Sequence, residues 1–564
     1  MLKQAVSLHQ AGRLSEAEQL YQQVLAADPR NFPAQYQLAL LLYHSRRLPA
    51  AAQAAEAALK LNPENPEAQV LHSVAALEAG QLDQALASIS KVTARAPGDA
   101  EAWHTRGVIL TQLHRPEEAV NSFDKAIAAN PAFAAALSHR GNTLIEMKRH
   151  REAVETFDRV LAQKANSFEA WSNRGLALYE LKRFAESLES YDKAMEIRSD
   201  YAPAWTNRGN VLVALKRFDD ALASYDQAIA RTPDNIKAWY ARAVALRTVH
   251  RFEDSLACVE KALTIRPDYL PLSYMRGWLL CELHRVADGL AVIRQTAQQE
   301  LRSRTGAKRL DSAHRQRHDA EQRDHLTEQG IRLQDGGLHF EDGVRVGGRA
   351  VTAANADLAT AQWQKSRPRL VVIDNLLTEE ALEKLRRFCR NSTVWHSAYE
   401  KGYLGAMPEQ GFACPLLAQI ADELRETFPA VVGDHPLRKL WAFKYDSRLS
   451  GIGIHADQAA VNVNFWIAPD DANLNPDSGG MVIWDVAAPE DWDIETYNGD
   501  EAAVRAFLEG AGAKAVKVPH RANRAVIFDS DLFHETDTIA FNEGYLNRRI
   551  NVTMLYGRRT YLGS

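Results

Sequence analysis

Two histidines and an aspartate are the residues in this chain best suited to chemistry. His455-Ala456-Asp457 follows Gly453-Ile454 and runs into Val461-Asn462-Val463-Asn464-Phe465-Trp466. On an extended strand residues i and i+2 share a face, so His455 and Asp457 project together. His534 stands 77 residues after Asp457, behind Ile527-Phe528-Asp529-Ser530-Asp531-Leu532-Phe533. Two imidazoles and one carboxylate leave metal positions open, a set that suits non-haem Fe(II) holding a co-substrate and O2. A lone His-x-Asp carries little weight, so the elements around it must decide.

At 564 residues the chain is too long for one core, and two or more domains are expected. Its 46% hydrophobic and 25% charged residues are those of a globular protein. A net charge of −5 gives no reason to expect nucleic acid as a partner. No apolar run approaches the roughly 18 residues of a membrane span. Met1-Leu2-Lys3-Gln4-Ala5-Val6 has an amphipathic helical pattern rather than the apolar block of a signal peptide. Cys258, Cys281, Cys389 and Cys414 show neither paired nor metal-site spacing. The expected compartment is therefore a reducing cytoplasm.

The N-terminal half repeats itself every 34 residues. Prolines fall at Pro29, Pro63, Pro97, Pro131, Pro233 and Pro267, with Ala165 and Ser199 in the two intervening slots. Ala17, Ala51, Ala85, Ala119, Ala153, Ser187, Ala221 and Ser255 keep the same register. Trp103, Trp171, Trp205 and Trp239 are each followed four residues later by Gly107, Gly175, Gly209 and Ala243. This pattern matches the tetratricopeptide repeat. Small residues let two antiparallel helices approach and proline ends the second one, giving a superhelical solenoid with a concave face. Eight units end near Pro267, and a weaker ninth reaches about Glu300.

A second ladder runs through Arg106, Arg140, Arg174, Arg208, Arg242 and Arg276. Asp124, Asp158, Asp192, Asp226 and Glu260 stand eighteen residues after the first five. These acids favour arginine–carboxylate pairs between the two helices of each repeat over a basic groove for an acidic ligand. Asn173 and Asn207 occupy the position that lines the concave face in similar repeats and can hold an extended peptide, but only two units carry it.

After Glu300 the pattern breaks. Leu301 to Gln329 is dense in charge and reads as a solvated helix or a mobile connector. Gly336-Gly337 and Gly347-Gly348 punctuate a small docking piece. A strand, Leu370 to Asp374, precedes a helix from Glu379 to Arg390 capped by Thr378. Residues 392–415, with Trp395, His396, Tyr399 and Tyr403, read as a lid or substrate-side loop. A helix is expected over 416–428, then strands over 439–445, 461–467, 480–484, 525–528 and 549–556. Such short strands suggest a double-sheet barrel of the jelly-roll or cupin type.

Here the motifs become specific. Leu370-Val371-Val372-Ile373-Asp374-Asn375-Leu376-Leu377, Tyr445 ten residues before His455, His455-Ala456-Asp457, Ser478-Gly479-Gly480-Met481, the strand before His534, and Arg549-Ile550-Asn551-Val552-Thr553-Met554 occur in order. Over about residues 368–558 the chain resembles the 2-oxoglutarate/Fe(II)-dependent dioxygenases, most closely the prolyl-4-hydroxylase-like branch. The resemblance implies a double-stranded β-helix with flanking helices. It also implies His455, Asp457 and His534 as catalytic metal ligands. Arg549 is implied as the grip on the far carboxylate of 2-oxoglutarate, with Arg548 as fallback. Tyr445 is the branch's pocket tyrosine. Asn462, Asn464 and Trp466 alternate on one strand face and are pocket candidates, and Asn551 shares a face with Arg549. His396 and His520 could be substrate-side or solvated, and are expected to be solvated. Residues 489–521 form a longer insertion than such a barrel needs, with a helix expected over 500–508.

The expected organisation is thus a multidomain chain. It has an all-α tetratricopeptide solenoid over 1–300, a charged linker over 301–367 and an oxygenase domain over 368–564. The resemblance implies a hydroxylase using Fe(II), 2-oxoglutarate and O2, with a protein or peptide recruited by the repeat groove. The alternatives are an interaction scaffold with a vestigial oxygenase domain, or an oxygenase acting on a small molecule or glycan.

Overall fold

The computed structural model describes residues 1–303, 312–334, 337–447, 451–489, 491–492 and 494–558. Parts of the linker (304–311, and Gly336 of the first glycine pair), Glu490 and Asp493 of the insertion, and the last six residues lie outside these. The chain divides into two compact units, Met1–Ala241 and Arg242–Ser564, so the boundary falls within the repeats. Among the described residues no helix is long and apolar enough to cross a membrane.

Antiparallel helix pairs run from Leu2–Gln10 to Val286–Ser303. In the first unit each repeat glycine makes room for a ring sixteen residues on. A Cβ on Gly107, Gly141 or Gly209 would stand 2.4 to 2.6 Å from the ring of Phe123, Phe157 or Tyr225. The indoles of Trp103, Trp171, Trp205 and Trp239 each donate to the carbonyl six residues earlier, Pro97, Ala165, Ser199 and Pro233, closing the inter-repeat turn.

The arginine ladder forms, but with different partners from those expected. Arg140, Arg174 and Arg208 pair with Asp124, Asp158 and Asp192 at 2.7 Å, sixteen residues back and in the preceding repeat. Their other guanidinium nitrogens reach Thr156, Ser190 and Ser224 in their own repeat. The leading helix lies between two second helices, and the acid facing it across the turn belongs to the earlier one. Each pair is part-exposed and contributes about 0.5 kcal/mol, so ring-on-glycine packing carries more of the solenoid's stability. Asn173 donates to Asn142 at 2.8 Å.

The second unit holds the last repeat helices and two antiparallel sheets. Strands β1 (Leu370–Ile373), β2 (Ser397–Tyr399), β3 (Tyr403–Ala406), β4 (Leu437–Tyr445), β5 (Val461–Trp466), β6 (Met481–Ala487), β7 (Ala515–Val518), β8 (Ala525–Asp529), β9 (Leu532–Thr536) and β10 (Ile550–Tyr556) make them. The orders are β1-β8-β5-β10-β4-β3-β2 and β7-β6-β9. Residues 392–415 therefore contribute a hairpin to the large sheet, where an irregular loop was expected.

One face of the large sheet packs Leu440, Ala442, Val463, Phe465, Val552 and Met554 against helices Glu379–Asn391 and Pro415–Thr427. Thr378 caps the first of these helices through its hydroxyl. Val286, Leu290 and Ile293 of the last repeat helix join the same core. The other face meets the small sheet through Trp466, Val526 and Phe528 against Met481, Ile483, Val518 and Leu532.

The charged segment contains the helix Ala313–Glu328, which is packed rather than solvated: His314, Arg315, His318, Gln322 and Leu326 are buried. Its polar side chains find buried partners. Gln322 donates to the carbonyls of Arg390 and Ser392, and Glu321 accepts from Arg548. A polar face covers a protein surface when each group is matched.

Candidate functional site

The register of the large sheet sets one row of side chains after another on its inner face. Phe443, Asn551 and Trp466 are cross-strand neighbours, then Trp441, Thr553 and Asn464, then Lys439, Leu555 and Asn462. Tyr445 accepts no side-step in this order: its amide donates to the carbonyl of Arg549, which puts the two opposite each other one row further on. Tyr445, Asn462, Asn464, Trp466, Arg549 and Asn551 therefore share one face, as expected from alternation.

His455 and His534 are joined by backbone, each amide donating to the other's carbonyl at 3.0 and 2.8 Å. The amide of Asp457 donates to Ser530, which draws the third residue onto the same ladder. The candidate ligand atoms of His455, Asp457 and His534 all lie within 4.8 Å of one another. Both imidazoles donate from Nδ1 to a carbonyl two residues earlier, Gly453 at 2.9 Å and Leu532 at 3.0 Å. That tautomer leaves each Nε2 lone pair for a ligand. His534 is buried, whereas His455 and Asp457 open onto a cleft.

Electrostatics keep these groups in ligating states. Burial, then the neighbouring His534, pushes His455 down to about 4. Burial raises the Asp457 carboxyl, but its neighbours outweigh this, and it lies below the ordinary carboxylate range. A neutral His455 imidazole beside an ionised carboxylate is what a divalent cation requires. The Asn462 amide also donates to Asp457 Oδ2 at 2.8 Å.

Arg549 is 1% exposed. Its Nε donates to Gly479 at 2.6 Å and an Nη to Gly480 at 3.0 Å, and its guanidinium carbon lies 4.5 Å from the Tyr445 ring centre. Among the described residues no carboxylate pairs with it. A buried cation without an anion is costly, and Arg549 is a residue that could hold one. The glycines are required there: Gly479 has φ +81°, and a Cβ on Gly480 would strike the carbonyl of Val518. Arg548 faces the other way, donating to Glu321 at 2.9 Å. The Tyr445 hydroxyl meets Thr536 Oγ1 at 3.3 Å, two residues past His534, so this tyrosine spans the interval between guanidinium and triad.

Three buried polar atoms on the same face have no partner: Asn462 Oδ1, Asn464 Oδ1 and Trp466 Nε1. Orphaned buried polar atoms are rare, and a polar ligand would satisfy them. His520, expected to be solvated, is buried against Trp466 and Phe541. Burial, then the Arg549 charge, pushes it down to about 3.

The insertion holds the triad from behind. Its helices, Ile494–Gly499 and Glu501–Gly510, bring Tyr497, Val504 and Leu508 against Ile454, Ala456 and Phe533, residues adjoining the ligands. Asn498 accepts from the amide of Ala456, between His455 and Asp457. Sequence reasoning assigned no role to Thr536, His520 or Asn498. Motif order alone carries no signal for them.

Models described as tetratricopeptide repeat match residues 2–66 and 206–269, 166–234, and 42–108 and 110–174. No curated protein matches the chain. Among solved structures it is similar to YrrB, described as a TPR protein with an unusual peptide-binding site. The identity is 22% over 33% of this chain and 95% of that one, with a TM-score of 0.29. It is also similar to MamA from Desulfovibrio magneticus RS-1, at 19% over 30% and 96% with a TM-score of 0.29. A third is a tetratricopeptide repeat protein from Parabacteroides merdae, at 16% over 43% and 97% with a TM-score of 0.34. The first approximately 270 residues of the chain are tetratricopeptide repeats.

Proposed function

We propose that residues 368–558 form a 2-oxoglutarate/Fe(II)-dependent hydroxylase of double-stranded β-helix type, acting on a protein or peptide brought by the repeats. The observation that carries this reading is the unpaired, buried Arg549 on the same inner face as the orphaned amides that lead to the His455–Asp457–His534 cluster. A dicarboxylate that chelates a metal at one end needs a cation at the other.

His455, Asp457 and His534 would hold the iron, and Arg549 with Tyr445 the far carboxylate of 2-oxoglutarate. When bound, iron supplies O2 activation coupled to oxidative decarboxylation of 2-oxoglutarate to succinate and CO2. The chain's residues do the rest. The carbonyls of Gly453 and Leu532 fix the imidazole tautomers. Asn462 holds one Asp457 oxygen, so the carboxylate cannot swing. Arg549 is oriented by two carbonyls and a ring face before any ligand arrives, which lowers the entropy cost of gripping it. Trp466, Val526 and Phe528 against the small sheet exclude water from that end.

Extended polypeptides suit a solenoid groove, and the resemblance to the prolyl-4-hydroxylase-like branch makes proline the first target residue to test. The test is succinate formation by the full chain with Fe(II), 2-oxoglutarate and O2, alongside direct iron binding. His455→Ala and Asp457→Ala should lose both. Wild-type turnover in either variant would overturn the reading.

A further inference from the structure

The triad opens onto a single-unit cleft of about 550 Å3, within the range of binding pockets. His455 and Asp457 lie at its floor, Lys439, Trp441 and Phe443 of β4 form one wall, and Trp278 and Arg247 of the last repeat helices form another. All of these residues belong to the second unit. At the rim the Trp278 indole donates at 2.7 Å to Glu409 Oε1, on the short helix Pro408–Gln410. The terminal repeats are therefore part of the cleft beside the triad.

The charges of this cleft are unevenly paired. Arg247 and Arg438 both bind the one carboxylate of Glu282, whose side chain is fully buried. Glu409 and Asp457 also line the cleft, and Asp457 belongs to the proposed metal cluster, which leaves Lys439 as the lining cation without a carboxylate in contact among the described residues. Behind Arg247 and Arg438, Arg558 donates to the Arg247 carbonyl at 3.2 Å, adding a third cation to the group. Lys439 is exposed, and no carboxylate among the described residues pairs with it. It lines the same cleft as Asp457. The aromatic strip is continuous: Tyr403 meets Phe443 edge-on at 5.2 Å, and Phe443 lies 6.3 Å from Trp441. A neutral glycan would use the rings and leave Lys439 idle, and a basic chain would meet repulsion there.

On this oxygenase reading, we infer that the substrate is an acidic polypeptide segment, bound extended along β4 between the terminal repeats and the triad. Its flat side chains lie on Trp441 and Phe443, and an aspartate or glutamate pairs with Lys439. Lys439, Trp441 and Phe443 alternate on β4 at roughly 7 Å per pair of residues, the same step as an extended substrate. Lys439 and Trp278 set specificity.

The experiment measures fluorescence anisotropy of labelled peptides that alternate proline with glutamate, glutamine or lysine. Each is titrated with the full chain loaded with Mn(II), so no turnover is needed. The glutamate peptide should bind about tenfold more tightly than the glutamine peptide, the lysine peptide weakest. Lys439→Glu, at an exposed position, should remove that preference and favour the lysine peptide. Trp278→Ala should weaken all three. Asn173→Ala, in the first unit, should change none of them. Equal binding of the three peptides, preference for the lysine form, no binding at all, or a Lys439→Glu variant that keeps wild-type preference would each overturn the inference. Succinate formation without peptide reports the oxygenase reading separately, so either can fail alone.

Discussion

The side-chain amide of Asn462 donates to Asp457 Oδ2 at 2.8 Å, from the strand that immediately follows the His-x-Asp turn. The aspartate thus presents one fixed oxygen to the Nε2 atoms of His455 and His534. Asn462→Ala should loosen that oxygen and weaken metal binding by about 10- to 100-fold without unfolding the sheet. Titration with Fe(II) or Mn(II) under anaerobic conditions checks this. An unchanged affinity would mean that Asn462 only fills space.

Adjacent arginines should separate cleanly. Arg549→Gln is expected to raise the KM for 2-oxoglutarate roughly 10- to 100-fold, since it removes a charge-assisted grip, and to leave iron affinity near wild type. Arg548→Gln breaks the pair with Glu321 and should lower stability by about 1–3 kcal/mol without moving that KM. Succinate production against 2-oxoglutarate concentration, with urea unfolding of both variants, distinguishes the two roles.

Alternation on β5 and β10 made the inner face of the sheet legible, because a two-residue period leaves only one way to group Asn462, Asn464 and Trp466. The 34-residue period likewise disclosed the repeats. The partner of each ladder arginine was not legible: a period gives spacing within a repeat but not which neighbouring helix lies closer, and Asp124 pairs with Arg140 rather than Arg106. The helix Ala313–Glu328 was misjudged because composition counts charges without their partners. Its His318, Gln322 and Glu321 all find polar groups on the sheet side. Trp278 is off the tryptophan register of the repeats, which falls on Ser273, and that departure is a sequence signal that it serves the cleft; Glu282 shares its register with Glu78, Glu146 and Glu180 and gives none.

The repeat glycines make a stability prediction in the first unit. A Cβ on Gly209 would lie 2.4 Å from Tyr225, whose ring is buried and whose hydroxyl donates to Asn210. The ring cannot withdraw without losing that bond. Gly209→Ala should therefore destabilise by about 1–3 kcal/mol despite its better helix propensity. Chemical denaturation followed by circular dichroism tests this, and a stabilised variant would show that the helices separate at little cost.

His318 should make the second unit acid-sensitive. It is fully buried, faces Lys444 on β4 and Tyr545, and meets Asp319 on its own helix at 3.1 Å, with Trp395 and Arg548 completing its surroundings. Burial, then the Lys444 charge, pushes it from 6.5 down to about 3. The native state holds the imidazole neutral, so between these values the unfolded chain binds more protons. Its contribution is fully present above about pH 6.5 and is lost as pH falls towards 3. At pH 5 the loss is of order 2 kcal/mol. His318→Gln should flatten the fall in unfolding free energy between pH 6.5 and 4.5, even if it lowers stability at pH 7. A wild-type slope in that variant would assign the acid sensitivity to other groups.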